Sequence, residues 1–258
     1  MSGVATYAVL QYFGHNFAGW QLQPDARTGQ GEFEAVLQRL IGTRVITHAA
    51  GRTDAGVHAL GQLVSFRVPG KWQPPELLRA LRALVPQDMW VERVGRAPDG
   101  FNARRHATAR HYRYVIGCDD AAFSPFRRPF EWALGRPLDG RALVAACRPI
   151  LGGHDFRAFS VKGAAKPHYR CTVNNATWRE RDDVPGFIFD IKADRFLHRM
   201  VRFLVGTMVD VGRGRRAVED VARLLETRSN SETSPPAPPQ GLYFVGAFYP
   251  QLDEVTDT

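Results

Sequence analysis

The stretch A-G-R-T-D-A-G-V-H-A-L, residues 50–60, sets an arginine and an aspartate two positions apart between two glycines. Segments suited to extended structure flank it, residues 44–49 before and 62–68 after, so it reads as the connection between two strands. Glycines there supply positive φ and let backbone approach another surface closely. Asp54 fits an Asx-turn, its carboxylate capping its own backbone. It also fits a carboxylate presented at the rim of a sheet, where loops carry function. The stretch alone leaves both readings open. A lone acid is poorly suited to chelating a metal or to hydrolysis by paired carboxylates.

Working outward, the first half reads strand–helix–strand–strand–helix–strand. Residues 6–13 form a β-rich apolar run, and Phe33, Val36, Leu37 and Leu40 recur at helical spacing over residues 30–40. Pro74 and Pro75 open a helix through residue 84, and residues 89–94 close the unit. The second half repeats the order: a strand at 112–116, a helix at 140–150, strands at 171–179 and 186–192, a long helix at 196–211, a shorter one at 217–225, and a last strand at 242–249. This is an α+β chain of two ferredoxin-like βαββαβ units. The expected division is an N-terminal α/β subdomain over 1–105 carrying the Asp54 loop, a C-terminal α/β subdomain over 106–250, and a flexible acidic tail over 251–258. Residues 229–240, rich in proline and serine, read as a loop.

Composition narrows the class. The chain has 258 residues, 44% apolar and 23% charged, the balance of a soluble globular protein with a sizeable core. No run approaches the roughly 20 apolar residues of a membrane span. The first ten residues show no basic leader or cleavage pattern, so a cytoplasmic location is expected. Cys118, Cys147 and Cys171 are odd in number and far apart, which favours reduced, mostly buried thiols over a disulfide framework. The histidines show no ligand spacing, and no metal is expected. Net charge is +8 with pI ≈ 9.8, and only four of the 34 basic residues are lysines. Guanidinium forks pair with phosphates and stack on bases, so a nucleic-acid partner accounts for this balance, as does a plain bias toward arginine.

Three more segments carry candidates. In a helix over residues 195–210, Arg195, His198, Arg199, Arg202, Gly206 and Asp210 share one stripe, and the remaining surface is apolar. The stripe faces a cleft, a partner or solvent. Gly206, in mid-helix, points to something approaching closely there. Along residues 187–192, Asp190 and Lys192 share a polar strand face, which suits either an ion-pair neighbourhood or RNA. Residues 101–114 (F-N-A-R-R-H-A-T-A-R-H-Y-R-Y) interleave arginines and histidines with Phe101, Tyr112 and Tyr114, a mixture suited to phosphates and unstacked bases. Tyr114 reads as core; Tyr112 stays undecided.

Taken together these segments resemble the tRNA pseudouridine synthase A family. The resemblance rests on F-A-G-W-Q at 17–21, G-R-T-D-A-G-V-H-A at 51–59, F-N-A-R at 101–104, A-T-A-R-H-Y-R-Y at 107–114, D-F-R-A-F at 155–159, D-I-K-A at 190–193, F-L-H-R-M-V-R at 196–202 and A-P-P-Q-G-L-Y at 237–243. Phe13 departs from the pattern, which usually has aspartate at that place. The resemblance implies the pseudouridine synthase fold, in which the antiparallel sheets of the two units meet around a central basic cleft. It implies that Asp54 is the nucleophile, that Arg202 pairs with its carboxylate, that Tyr112 packs on the target uracil and that Leu242 helps wall the pocket. Arg52, Arg104 and Lys192 are further candidates for binding the substrate. A homodimer acting on tRNA is implied, with the uridines at positions 38, 39 and 40 of the anticodon stem-loop as targets.

Isomerisation gains and loses no atom, so no cofactor is expected. Two other readings use the same residues: a non-catalytic RNA-binding module on this scaffold, and a single-carboxylate nucleosidase releasing free uracil.

Overall fold

The computed structural model describes residues 3–161, 168–227 and 229–252. In chain order the strands and helices are β1 (Val4–Tyr12), α1 (Gly29–Ile41), β2 (His48–Ala49), β3 (His58–Val68), α2 (Pro74–Leu84), β4 (Met89–Arg96), β5 (Ala109–Gly117), β6 (Trp132–Ala133), α3 (Gly140–Ala145), β7 (Gly152–Asp155), β8 (Arg170–Glu180), β9 (Gly186–Ala193), α4 (Met200–Gly212), α5 (Asp220–Thr227) and β10 (Leu242–Phe248). The chain is mixed α+β and divides into two units: Met1–Arg110 with Phe244–Thr258, and His111–Tyr243.

In the first unit the strands run in the order β4-β1-β3-β10, with β2 also paired to β3. β1 is antiparallel to both β3 (Tyr7↔Ser65) and β4 (Tyr7↔Gly95). Each long strand buries apolar residues: Ala8 and Leu10 on β1, Leu63 and Val64 on β3, Val91 on β4. Phe33 and Leu37 of α1, with Leu77 and Leu81 of α2, bury the apolar faces of the two helices. Thr28 caps α1, accepting a hydrogen bond from the Gly31 N–H at 3.2 Å, and Gly42 ends it at φ +83°. α2 starts at the proline pair, as the sequence predicts.

The second unit orders its strands β5-β9-β8-β7, with β6 parallel to β5. β9 pairs antiparallel with β8, bringing Phe189 opposite Trp178, their rings stacked at 4.8 Å. α4 is nearly all buried, from Met200 through Gly212, with Arg202 and Asp210 its only half-buried positions.

Several segments differ from the sequence expectation. Only His48–Ala49 of the expected 44–49 strand is paired, because the Glu34 carboxylate accepts both the Thr47 N–H (3.0 Å) and hydroxyl (2.8 Å) in place of a strand neighbour. The expected helix over 140–150 stops at Ala145 and finishes as a 3-10 turn through Pro149. α4 starts at Met200, not at 195 or 196. Arg199 lies at φ +61°, a left-handed conformation that an α-helix cannot pass through. Arg195, His198 and Arg199 therefore leave the proposed helical stripe, and Arg202, Gly206 and Asp210 remain on it. α5 starts three residues late, after turns at Ala217 and Val218. The strand β7 begins with two glycines, which gave no signal in the sequence.

From Phe244 onward the last strand belongs to the first unit. A Cβ on Gly61 would stand 2.4 Å from the Val245 carbonyl oxygen, so β3 and β10 approach more closely there than a side chain allows. Of the expected tail, Gln251 and Leu252 close a 3-10 turn with Leu252 buried, and residues 253–258 lie outside the described residues. Among the described residues no helix is long and apolar enough to cross a membrane.

The mid-helix glycine has a direct explanation. A Cβ on Gly206 would lie 2.1 Å from the Pro235 carbonyl oxygen, so the proline-rich segment crosses α4 in contact with its backbone. Gly206→Ala should therefore destabilise the protein by about 1–3 kcal/mol, the range for overpacking. Gly70→Ala is the control, since its Cβ would meet only Val4 Cγ2 at 3.6 Å. Urea unfolding of both variants tests this, and equal midpoints would contradict the close crossing.

Candidate active site

Asp54 sits in a turn that the first unit builds from three directions. The Val57 N–H closes on the Asp54 carbonyl at 3.2 Å, with Gly56 at φ +79°, the positive value that the third residue of a type II turn requires. The F-A-G-W-Q segment holds the turn from one side: Gly56 N–H donates to the Phe17 carbonyl at 3.3 Å, and Trp20 N–H to the Thr53 carbonyl at 3.1 Å. A Cβ on Gly19 would come within 2.8 Å of that Thr53 oxygen, and one on Gly14 within 2.0 Å of the Val57 oxygen. Trp20 is buried, stacked on Tyr12 at 5.8 Å, and Phe17 meets Tyr12 edge-on. Arg27 covers Phe17, its guanidinium carbon 4.4 Å from the ring centre, while bonding Asp88 at 2.6 and 2.8 Å.

From beneath, a buried polar chain fixes the residues just before Asp54. The Gln62 amide accepts the Gly51 N–H at 3.3 Å and donates to the Gly51 carbonyl at 2.9 Å. It also donates to the Tyr12 hydroxyl at 3.4 Å, which shares a 2.8 Å hydrogen bond with the Thr53 hydroxyl. Burial pushes the Tyr12 phenol up to about 12, so it stays a neutral hydroxyl and can donate. Asp54 itself is half-buried, with Thr53 and Val57 buried around it. Phe13 stacks on His58 at 5.1 Å and His15 at 5.7 Å. The His58 Nδ1 accepts the neighbouring Gly14 N–H at 3.0 Å.

Two arginines stand beside this loop. Arg52 is exposed, and its pKa is pushed down, first by partial burial and then by the charge of Arg104. Two like charges in reach of each other favour an anion between them. Arg104 rides on a turn in which the Asn102 side chain accepts the N–H groups of Arg104 and Arg105, both at 3.1 Å. Arg110 locks that turn to the Asp54 loop: it donates to the carbonyls of Arg104 (2.6 Å), Ala107 (2.9 Å) and Ala50 (3.3 Å). Sequence reasoning missed Gln62, Tyr12 and Arg110. Only the glutamine within an apolar strand could have drawn attention.

The second unit holds the remaining candidates. On β5 the alternation is complete: Tyr112 and Tyr114 are buried, while His111 and Arg113 face the other way. Tyr112 meets Phe196 edge-on at 5.0 Å. Tyr114 is core, donating to the Pro238 carbonyl at 2.8 Å. Asp190 of β9 bonds His111 Nε2 at 2.7 Å and Arg113 Nε at 3.0 Å. Burial alone would raise that carboxyl, but the hydrogen bonds from His111 and Arg113, with the Arg113 charge, outweigh it and hold it below the usual carboxylate range. Asp190 is thus an ion-pair partner, with Lys192 half-buried on the same face. Arg202 is anchored reciprocally to the segment before β10: its Nε donates to the Ala237 carbonyl at 2.7 Å, and the Ala237 N–H donates to the Arg202 carbonyl at 2.9 Å. Leu242 starts β10 and is buried.

Replacing Gln62 by leucine removes the partners of the Gly51 N–H and carbonyl, which costs up to roughly 1–3 kcal/mol for each polar group left unsatisfied. Gln62→Leu should lower the urea midpoint and speed amide exchange at Gly51 through Asp54; unchanged exchange there would show that the clamp is unimportant. The Asp190 pairing makes a pH prediction. Because its folded pKa is depressed, its stabilisation is complete above the unfolded value of about 3.9 and is lost as pH falls through the folded value. Asp190→Asn should therefore narrow the stability difference between neutral pH and about pH 3. Denaturant titrations at both pH values, differing equally in wild type and variant, would refute this.

A family model described as tRNA pseudouridine synthase matches residues 8–104 and 146–250. The tRNA pseudouridine synthase A of Moorella thermoacetica is 41% identical over 236 residues, 90% of this chain and 94% of that protein. That of Geobacter sp. strain M21 is 38% identical over 246 residues, 94% and 98% of the two chains. The one from Halalkalibacterium halodurans is 38% identical over 235 residues, 90% and 88% of them. Matches of this extent, running through the Asp54 turn and the segments that hold it, place the chain in the tRNA pseudouridine synthase family, isomerases that act on uridine in tRNA.

Proposed function

We propose that this protein converts uridine to pseudouridine at positions 38, 39 and 40 of the tRNA anticodon stem-loop, with Asp54 as the nucleophile. The observation that carries the reading is the rigid seat of Asp54: a glycine turn held by the backbone of residues 17–20 and by the Gln62–Tyr12–Thr53 chain. The reaction breaks N1–C1′, turns the base, and forms C5–C1′. The proton lost at C5 is balanced by one gained at N1, so substrate and product are isomers. A carboxylate can add to an electron-poor carbon of the nucleotide and hold one fragment while the other turns. That requires an anion, and a dry pocket disfavours one unless a cation lies close.

In this reading Arg202 supplies the cation, its plane set by the Ala237 carbonyl. Tyr112, on a buried strand face, packs on the extruded uracil, and Leu242 walls the pocket. Extrusion costs a few kcal/mol, offset by arginine–phosphate contacts. Arg52 and Arg104, paired at the Asp54 loop, and Lys192 make such contacts. The working form is a cytoplasmic homodimer that holds tRNA across both subunits.

Tritium release from tRNA labelled at C5 of uridine is the test. Wild type should release label, Asp54→Asn should lose at least about a thousandfold in rate, and Arg202→Ala should lose more in turnover than in tRNA affinity. A wild type that releases nothing ends the enzyme reading. A fully active Asp54→Asn removes Asp54 from the role. Free uracil as product would mean hydrolysis instead of isomerisation.

A further inference from the structure

A hollow of the first unit lies away from the Asp54 turn, between the loop after α1, the far half of β3 and the turn that carries Arg104 and Arg105. It measures about 640 Å³. Arg44, His48, Arg67 and Arg105 line it, and among the described residues no acidic one does. Arg67 is set by its Nε donation to the Gly3 carbonyl at 2.8 Å and is partly neutralised by Asp99, which accepts from its Nη2 at 3.2 Å. Ile46, 63% exposed, and Phe101 add apolar surface to the same wall.

Resting on the proposed tRNA substrate, we infer that this hollow is a second RNA subsite, taking a backbone phosphate and an adjoining unpaired nucleotide from a part of the tRNA other than the target loop. The Arg44 and Arg105 guanidinium groups beside an open concavity match phosphodiester oxygens, and the exposed isoleucine with the phenylalanine offers a face for a base. The turn over 102–105 links the two places. Asn102 fixes both arginine N–H groups; Arg110 ties the Arg104 carbonyl to Ala50 at the start of the Asp54 loop, and Arg105 lines the hollow. One short capped turn thus addresses phosphates beside the reacting nucleotide and phosphates at a distance from it. Such a subsite makes recognition depend on the folded tRNA and not on the target loop alone.

The test compares binding of whole tRNA and of an isolated anticodon hairpin by full-length wild type, Arg44→Glu, Arg105→Glu and the milder Arg44→Gln. Each reversal should weaken whole tRNA by about tenfold or more at low salt and reduce the slope of log affinity against log salt by about one for each phosphate no longer neutralised. Hairpin binding should stay within twofold. Unchanged affinity and slope for whole tRNA in all variants would overturn the subsite. So would equal losses on tRNA and hairpin, which would place these side chains at the target loop. Inorganic phosphate or uridine 5′-monophosphate retained by the wild type, with tRNA binding unaffected by the variants, would assign the hollow to a free anion and overturn the RNA reading. Failure of the proposed activity is read separately. A protein that releases no tritium but loses whole-tRNA binding on Arg44→Glu keeps the subsite and loses the enzyme.

Discussion

The Gln62 side chain, fully buried on β3, uses its amide oxygen and nitrogen on Gly51, three residues before Asp54, and its nitrogen again on the Tyr12 hydroxyl. A peptide group adjacent to a functional loop is exposed to two failures: it can move, or it can sit buried with unmet hydrogen bonds. One amide solves both for Gly51, because its oxygen accepts the residue's N–H while its nitrogen donates to the residue's carbonyl. The satisfied chain then continues through Tyr12 to Thr53, the residue before the acid. Small residues make this possible. A Cβ on Gly51 would already press on the Phe244 ring at 3.0 Å.

Holding a loop this tightly removes its freedom before any substrate arrives, which is what a nucleophile aimed at one carbon needs. The support is distributed over the sequence. Residues 12–20 give the upper wall, residue 62 the floor, and residue 110 the brace that joins the Arg104 turn to Ala50. Phe13 adds to this support by ring stacking with His58 and His15, while the backbone of Gly14 donates to the His58 ring.

Much of this was legible in the sequence. Helical spacing in α1, the proline pair of α2 and the alternation of β9 located those elements, since each rests on local chemistry that nothing distant overrides. Gly206 was readable too, as a backbone approach whose partner only the fold could name. Other features were hidden because they depend on neighbours distant in sequence. Thr47 looks like strand, yet its donors go to Glu34, 13 residues earlier. Phe196 and Leu197 continue the apolar pattern of α4, and nothing in that pattern signals that Arg199 turns left-handed. At the site, Asp54, Arg52 and Arg104 were visible as loop charges. Gln62 and Tyr12 were not: a glutamine in an apolar strand hints at a buried partner without naming it, and a tyrosine in an apolar run reads as core.

The arginine content itself needs a second reading. Several guanidinium groups are spent on main-chain carbonyls: Arg82 on Val91 and Glu92, Arg96 on Trp72, Arg110 on three residues, Arg202 on Ala237. Others are neutralised by acids, as Arg27 by Asp88 and Arg127 by Asp119. The first class keeps its charge but loses its rotamer freedom, so the positive potential becomes a fixed array; the second offers little to a polyanion. Arginine suits both uses because one planar group can hold a carbonyl with one edge while remaining cationic. Net charge therefore does not count the phosphates that the protein can hold. What counts is which guanidinium groups the fold leaves facing a hollow or a loop, and in the first unit those are the ones grouped around Arg52 and Arg104 on one side of a single turn and Arg44 and Arg105 on the other.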